Sequence, residues 1–172
     1  MSATEERPAR AGQDELVARP PLRSLVEDLH ERRAAALLGG GEERIARQHA
    51  QDKLTARERI ALLVDEGSWH ELGLHAGIHY SVRGLEGKEA PADGVITGWG
   101  LLDGRMVAVC AYDFTVMAGS MGMTGELKVA RLRELALTKR MPMVWLLDSA
   151  GARIQEGVKA FFERREPQWT GR

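Results

Sequence analysis

From Leu22 onward, apolar residues recur at Leu22, Leu25, Val26 and Leu29 and again at Ala36 and Leu37, a helical spacing that predicts a helix. Gly39-Gly40-Gly41 stops it. A second helix is expected over Glu42 to Gln51, and Thr55-Ala56-Arg57-Glu58 has the form of a capping box opening a third, which runs through Ile60-Ala61-Leu62-Leu63-Val64 and ends near Gly67. Residues 22–67 therefore read as a helical segment. Residues 1–21, polar and interrupted by Pro8, Pro20 and Pro21, read as a flexible lead-in.

After Gly67 the period shortens. Ser68-Trp69-His70-Glu71-Leu72 is strand-like, and residues 73–92 form a Gly- and charge-rich loop of a length that is usually functional. Gly94 to Gly100 and Arg105 to Tyr112 are β-rich runs around Leu101-Leu102-Asp103-Gly104, a strong hairpin signal. Met123 to Arg140 alternates Leu127, Ala130, Leu135 and Ala136 with charges and predicts an amphipathic helix. Pro142 breaks it, and Met143 to Leu147 reads as a strand buried on both faces. A helix between two strands implies a parallel return, and hence an α/β core rather than a sandwich.

Composition narrows the function classes. The chain has 172 residues, 44% hydrophobic and 28% charged, with 24 Lys and Arg against 25 Asp and Glu for a net charge of -1. That balance speaks against nucleic acid or an anionic membrane as the main partner, since both call for a basic excess or patch. No window reaches the roughly 18 apolar residues of a membrane span, and the acidic, h-region-free N-terminus is no signal peptide, so a cytoplasmic location is expected. The single Cys110 forms no internal disulfide and is too little for a thiolate metal site. Glycine is conspicuous at 19 of 172 residues, about 11% against a usual ~7%, and crowds between Gly67 and Gly125.

Two segments could carry chemistry. Asp148-Ser149-Ala150-Gly151-Ala152-Arg153 follows the last strand, where small residues let a substrate approach the backbone and the amides of Ala150 and Gly151 could hold a developing oxyanion. Ala118-Gly119-Ser120-Met121-Gly122 occupies the equivalent place after the preceding strand, so the two loops would share the rim of one crevice. Each could equally be a tight turn whose small residues serve packing. Other patterns carry less: Gly73 and Gly77 interrupt any metal-binding helix through His70, His75 and His79, and no metal site is expected. Ser149 has neither a nucleophile elbow nor a downstream histidine. Gly39-Gly40-Gly41-Glu42 lacks the Lys-Ser/Thr of a phosphate loop and is read as a helix stop.

Taken together, His49 to Leu72, Ala92 to Gly122 and Leu146 to Val158 resemble the carboxyltransferase subunit of biotin-dependent acyl-CoA carboxylases, the propionyl-CoA/acetyl-CoA carboxylase β-chain family. The resemblance implies a crotonase-like (ββα)n superhelix, here truncated and preceded by N-terminal helices, with residues 68–158 a partial acyl-CoA-binding domain. It implies carboxybiotin on a carrier protein as the cofactor, acyl-CoA as the substrate, and an enolate oxygen held by the backbone amides of Ala150 and Gly151. It places Gly119, Ser120 and Gly122 beside the acyl-CoA and gives Lys128 and Arg153 as further substrate contacts. Two departures stand out: Ala150 replaces a frequent glycine, and Gly125-Glu126-Leu127-Lys128 differs from the usual wording before the lysine. The implied partners are biotin carboxylase, the biotin carboxyl carrier and other carboxyltransferase subunits. Residues 159–172 no longer resemble the family, and the chain is expected to be incomplete alone. A biotin-dependent malonyl-type-CoA decarboxylase subunit and a non-catalytic assembly module are the rival readings.

Overall fold

The computed structural model describes residues 21–78 and 85–156. The expected lead-in, His79 and the divergent tail lie outside the described residues, apart from Pro21. Three helices come first, α1 (Leu22–Leu37), α2 (Glu42–His49) and α3 (Ala56–Leu63). The capping box is present: the Thr55 side chain accepts from the Glu58 N–H while the Glu58 carboxylate accepts from the Thr55 N–H. The His49 ring also reaches that carboxylate at 3.0 Å, and hydrogen bonds from His49 and then Thr55 pull the Glu58 pKa down to about 2.

Four strands follow: β1 (His70–Leu72), β2 (Val95–Leu102), β3 (Arg105–Tyr112) and, after helix α4 (Met123–Lys139), β4 (Met143–Leu146). They form one sheet in the order β1-β2-β3-β4. The β2–β3 hairpin is tight because Asp103 and Gly104 take φ of 50° and 74°, the paired left-handed values of a type I′ turn. β4 returns parallel to β3 through α4, as the strand–helix–strand order requires.

Strand periodicity divides the core between the two faces of the sheet. Ala108, Cys110 and Tyr112 of β3 pack with Val95 against Val129, Leu132 and Ala136 of α4. Val107, Val109 and Ala111 pack with Ile96 against Ala56 and Ile60 of α3. β3 is thus covered on both sides, and burial pushes the Cys110 thiol up to about 12, leaving it an inert core residue.

One sequence expectation is corrected. β4 is only half-buried, with Trp145 39% exposed, because among the described residues it is the edge of the sheet and pairs with β3 alone. The helix at Leu22 forms, but none of its residues is buried, and Leu22, Leu25, Val26 and Leu29 stay exposed. It lies beside the turn at residues 91–94.

Candidate functional site

Topology gathers three turns at one end of the sheet. The segment entering β2 (residues 91–94), the one leaving β3 (residues 113–122) and the one leaving β4 (residues 147–153) lie together because β2 and β3 are antiparallel while β3 and β4 are parallel. Two of these turns hold consecutive left-handed residues: Ala92, Asp93 and Gly94 at φ of 51°, 53° and 70°, and Met117, Ala118 and Gly119 at 49°, 55° and 63°. A non-glycine residue costs about 1–2 kcal/mol there and persists only where surrounding contacts dictate it. Such concentrated strain marks this sheet end as the candidate site.

The two small-residue loops are joined by a short ladder. Ala150 N–H donates to Ala118 O at 2.9 Å, Met121 N–H to Gly151 O at 3.0 Å, and Arg153 N–H to Met121 O at 2.9 Å. Ser149 Oγ adds a 2.7 Å bond to Gly119 O. Gly119 permits this approach, since a Cβ on it would lie 2.3 Å from Asp148 O. Both amides expected to hold an oxyanion are at the carboxyl end of β4, yet both have acceptors inside the chain. That of Ala150 belongs to the ladder, whereas that of Gly151 donates to the Ser149 hydroxyl at 2.9 Å. Rotation of the Ser149 side chain would free this N–H at the cost of the Ser149–Gly119 bond but without opening the backbone ladder, so Gly151 holds the more readily surrendered donor.

Arg153 is occupied differently from its expected role as a substrate contact. Its side chain is 1% exposed, and Nη1 donates to Asp93 Oδ1 at 2.6 Å and Glu156 Oε1 at 2.8 Å, while Nη2 donates to Ser120 O at 2.9 Å. Burial opposes its charge, but the hydrogen bonds and charges of Asp93 and Glu156 outweigh burial and raise its pKa. The same two carboxylates cap α4: Asp93 accepts from Gly125 N–H at 2.6 Å and Glu156 from Met123 N–H. Gly122 sits against this cluster, where a Cβ would come within 2.3 Å of Arg153 Nη1. Arg153 therefore ties three turns together, and the Met123 and Gly125 amides of the helix terminus it borders already have acceptors.

Lys128 also departs from its expected place. It does not line the crevice; its ammonium is buried under the sheet end and donates to Ala92 O at 2.8 Å and to Val95 O. Burial, partly offset by Glu71 and Asp93, lowers its pKa to about 8.

The loops form one wall of a crevice of about 1040 Å³ lined by Met117, Ser120 and Ala150. The opposite wall was not anticipated from sequence. Gly39 to Arg44 and Gly87 to Glu89 supply it, bringing Arg44 and Lys88 together with Glu42, Glu43 and Glu89. Gly40 seats this helical turn, because a Cβ there would fall 1.9 Å from Thr115 O, and Gly40 N–H donates to Thr115 Oγ1 at 3.0 Å. A helix stop needs one glycine; the run of three was the available signal. Among the described residues, no cluster of His, Cys, Asp and Glu could hold a metal ion, and no helix is long and apolar enough to cross a membrane.

Comparison with known proteins agrees with this architecture. Residues 47–164 match the carboxyl transferase domain family. The chain is 44% identical over 137 residues to the propionyl-CoA carboxylase beta chain of Roseobacter denitrificans, covering 80% of this chain and 27% of that protein. It is 47% identical over 135 residues to the methylmalonyl-CoA decarboxylase subunit alpha of Veillonella parvula, covering 78% of this chain and 26% of that one. The structure superposes with a TM-score of 0.78 and 42% identity on a transcarboxylase 12S crystal structure with methylmalonyl-coenzyme A and methylmalonic acid bound, covering 84% of this chain and 28% of that one. The chain thus spans about a quarter of the length of these relatives. Its crotonase-like α/β core, its paired loops and these matches place the chain in the carboxyl transferase domain family.

Proposed function

We propose that this chain supplies the acyl-CoA-binding part, the N-terminal portion, of a biotin-dependent acyl-CoA carboxyltransferase, and that the parent activity carboxylates the α-carbon of an acyl thioester. The observation that supports it most is the laddered loop pair, which places Ala150 on the wall of the crevice with the exchangeable Gly151 amide next to it in the chain. An enolate forms when the α-proton leaves, and its oxygen needs preorganised donors rather than a side-chain base beside it. Rotation of the Ser149 side chain gives up its bond to Gly119 O and releases the Gly151 N–H for that oxygen, while the backbone bonds Ala150–Ala118, Met121–Gly151 and Arg153–Met121 keep the loop from relaxing.

Carboxybiotin, on a carrier protein, supplies the carboxyl group and the base when it is bound. In this reading Gly119, Ser120 and Gly122 shape the wall, and Arg153, which also lines the crevice, fixes it through its guanidinium. Arg44 and Lys88 face the crevice and suit the phosphates of coenzyme A. A biotin carboxylase, the carrier and further carboxyltransferase subunits complete the reaction, in the cytoplasm. The same site serves the reverse transfer of a decarboxylase, and identities of 44% and 47% to relatives of both directions do not separate the two.

Calorimetric titration with propionyl-CoA tests the binding role. One site is expected, with affinity that weakens when Lys88 is replaced by Glu. An absence of heat or of competition by free CoA would favour the non-catalytic assembly module.

A further inference from the structure

Lys128 was expected at the substrate but lies behind it, and its contacts are informative. Its ammonium bonds the carbonyls of Ala92 and Val95, which bracket the left-handed Asp93-Gly94 pair. Between those carbonyls the Asp93 carboxylate accepts from Gly125 N–H and Arg153 Nη1, and Arg153 in turn donates to Ser120 O. The lysine stem is boxed in by Gly73, at φ 71°, where an added Cβ would be 3.0 Å from Lys128 Cε. An unbranched, boxed stem delivers the ammonium to two carbonyls and nothing else.

We propose that Lys128 is a positioning residue: by clamping Ala92 O and Val95 O it holds the left-handed turn that aims Asp93 at Arg153, and through Arg153 it sets the loop pair of the crevice. A charge-assisted bond to each carbonyl offsets the strain of Ala92 and Asp93. The groups facing the ammonium are Glu71 on β1, Asp93 in the turn, Arg57 on α3 and Cys110 on β3. Loss of the charge weakens both bonds, so the turn should respond to pH near 8, where this lysine titrates.

The test uses the full chain and amide NMR. In the wild type, the resonances of Asp93, Gly94, Gly125 and the Arg153 Nε–H are expected to shift together with a midpoint near 8, while those of the β2–β3 hairpin stay fixed. Lys128→Arg, which donates but does not titrate, should keep the low-pH positions and abolish the transition. Lys128→Met should speed hydrogen exchange at Gly125 and Arg153 by about tenfold more than at the hairpin amides, the worth of one charge-assisted bond. Uniform acceleration at all amides, or a wild-type transition that persists in Lys128→Arg, would overturn the proposal. The link to substrate rests on the crevice reading above: propionyl-CoA should bind Lys128→Arg like the wild type and Lys128→Met about tenfold more weakly. If the wild type binds no thioester, that reading fails, and the exchange pattern still decides the role of Lys128.

Discussion

Arg153→Met is expected to lower the free energy of unfolding by about 3–5 kcal/mol, the usual loss when one partner of a buried ion pair is removed. Asp93 is fully buried, and its Oδ1 would lose the guanidinium 2.6 Å away. Ser120 O would lose its donor as well. Urea denaturation should show this as a lower midpoint at unchanged slope. The double variant Asp93→Asn/Arg153→Met should recover only part of the loss, because the Asp93 carboxylate is then no longer stranded while Glu156 still lacks the guanidinium. Arg153→Lys should recover little, since an ammonium lacks the planar fork that reaches Asp93, Glu156 and Ser120 at once. A loss below about 1 kcal/mol for Arg153→Met would mean the cluster is wet and does not hold the turns.

The largest effect on ligand binding is expected at Gly119. Alanine there meets two penalties: a left-handed φ of 63° costs about 1 kcal/mol, and its Cβ would lie 2.3 Å from Asp148 O and 3.2 Å from Ser149 Cα. Both of the latter atoms belong to backbone that cannot rotate aside, so the β4 loop must withdraw. The Ser149–Gly119 and Ala150–Ala118 bonds open with it. Propionyl-CoA should bind at least about tenfold more weakly, the equivalent of 1.4 kcal/mol. Gly67→Ala is the control, since φ is 72° but nothing lies within 4 Å of its Cβ. It should lose stability and keep its affinity. Equal affinity of Gly119→Ala and the wild type would separate the loop pair from ligand binding.

What could be read from the sequence was what short-range chemistry determines. The hairpin follows from Asp103-Gly104, the third helix start from Thr55 and Glu58, and the crossover from a helix between two β-rich runs. The two loops were recognisable because their small residues sit directly after strands. The partners of Arg153 and Lys128 were not recognisable, since Asp93 lies 60 positions from Arg153 and Ala92 lies 36 from Lys128. A basic residue next to a candidate site reads as a ligand contact until the fold shows which carboxylate or carbonyl claims it.

Strain was hidden for a related reason. Ala92, Asp93, Met117 and Ala118 adopt left-handed backbone that residue type alone assigns to glycine or asparagine. Only the packing of three turns against one another forces them there. Conversely, the Gly39-Gly40-Gly41 run had an adequate local explanation as a helix stop, which concealed its close approach to Thr115 and its place on the crevice wall. The half-exposed β4 shows the same limit, because its apolar run cannot say how many neighbours the strand has.

The central claim is that an acyl thioester is held at the Gly151 amide between the two loops. Amide NMR of the isotopically labelled chain titrated with propionyl-CoA tests it directly. The account predicts saturable shifts at Gly151 and Ala150 and at Gly119 and Ser120, with the Gly151 N–H moving most as it leaves the Ser149 hydroxyl. Shifts confined to other surfaces, or a Gly151 resonance unmoved at saturation, would contradict it.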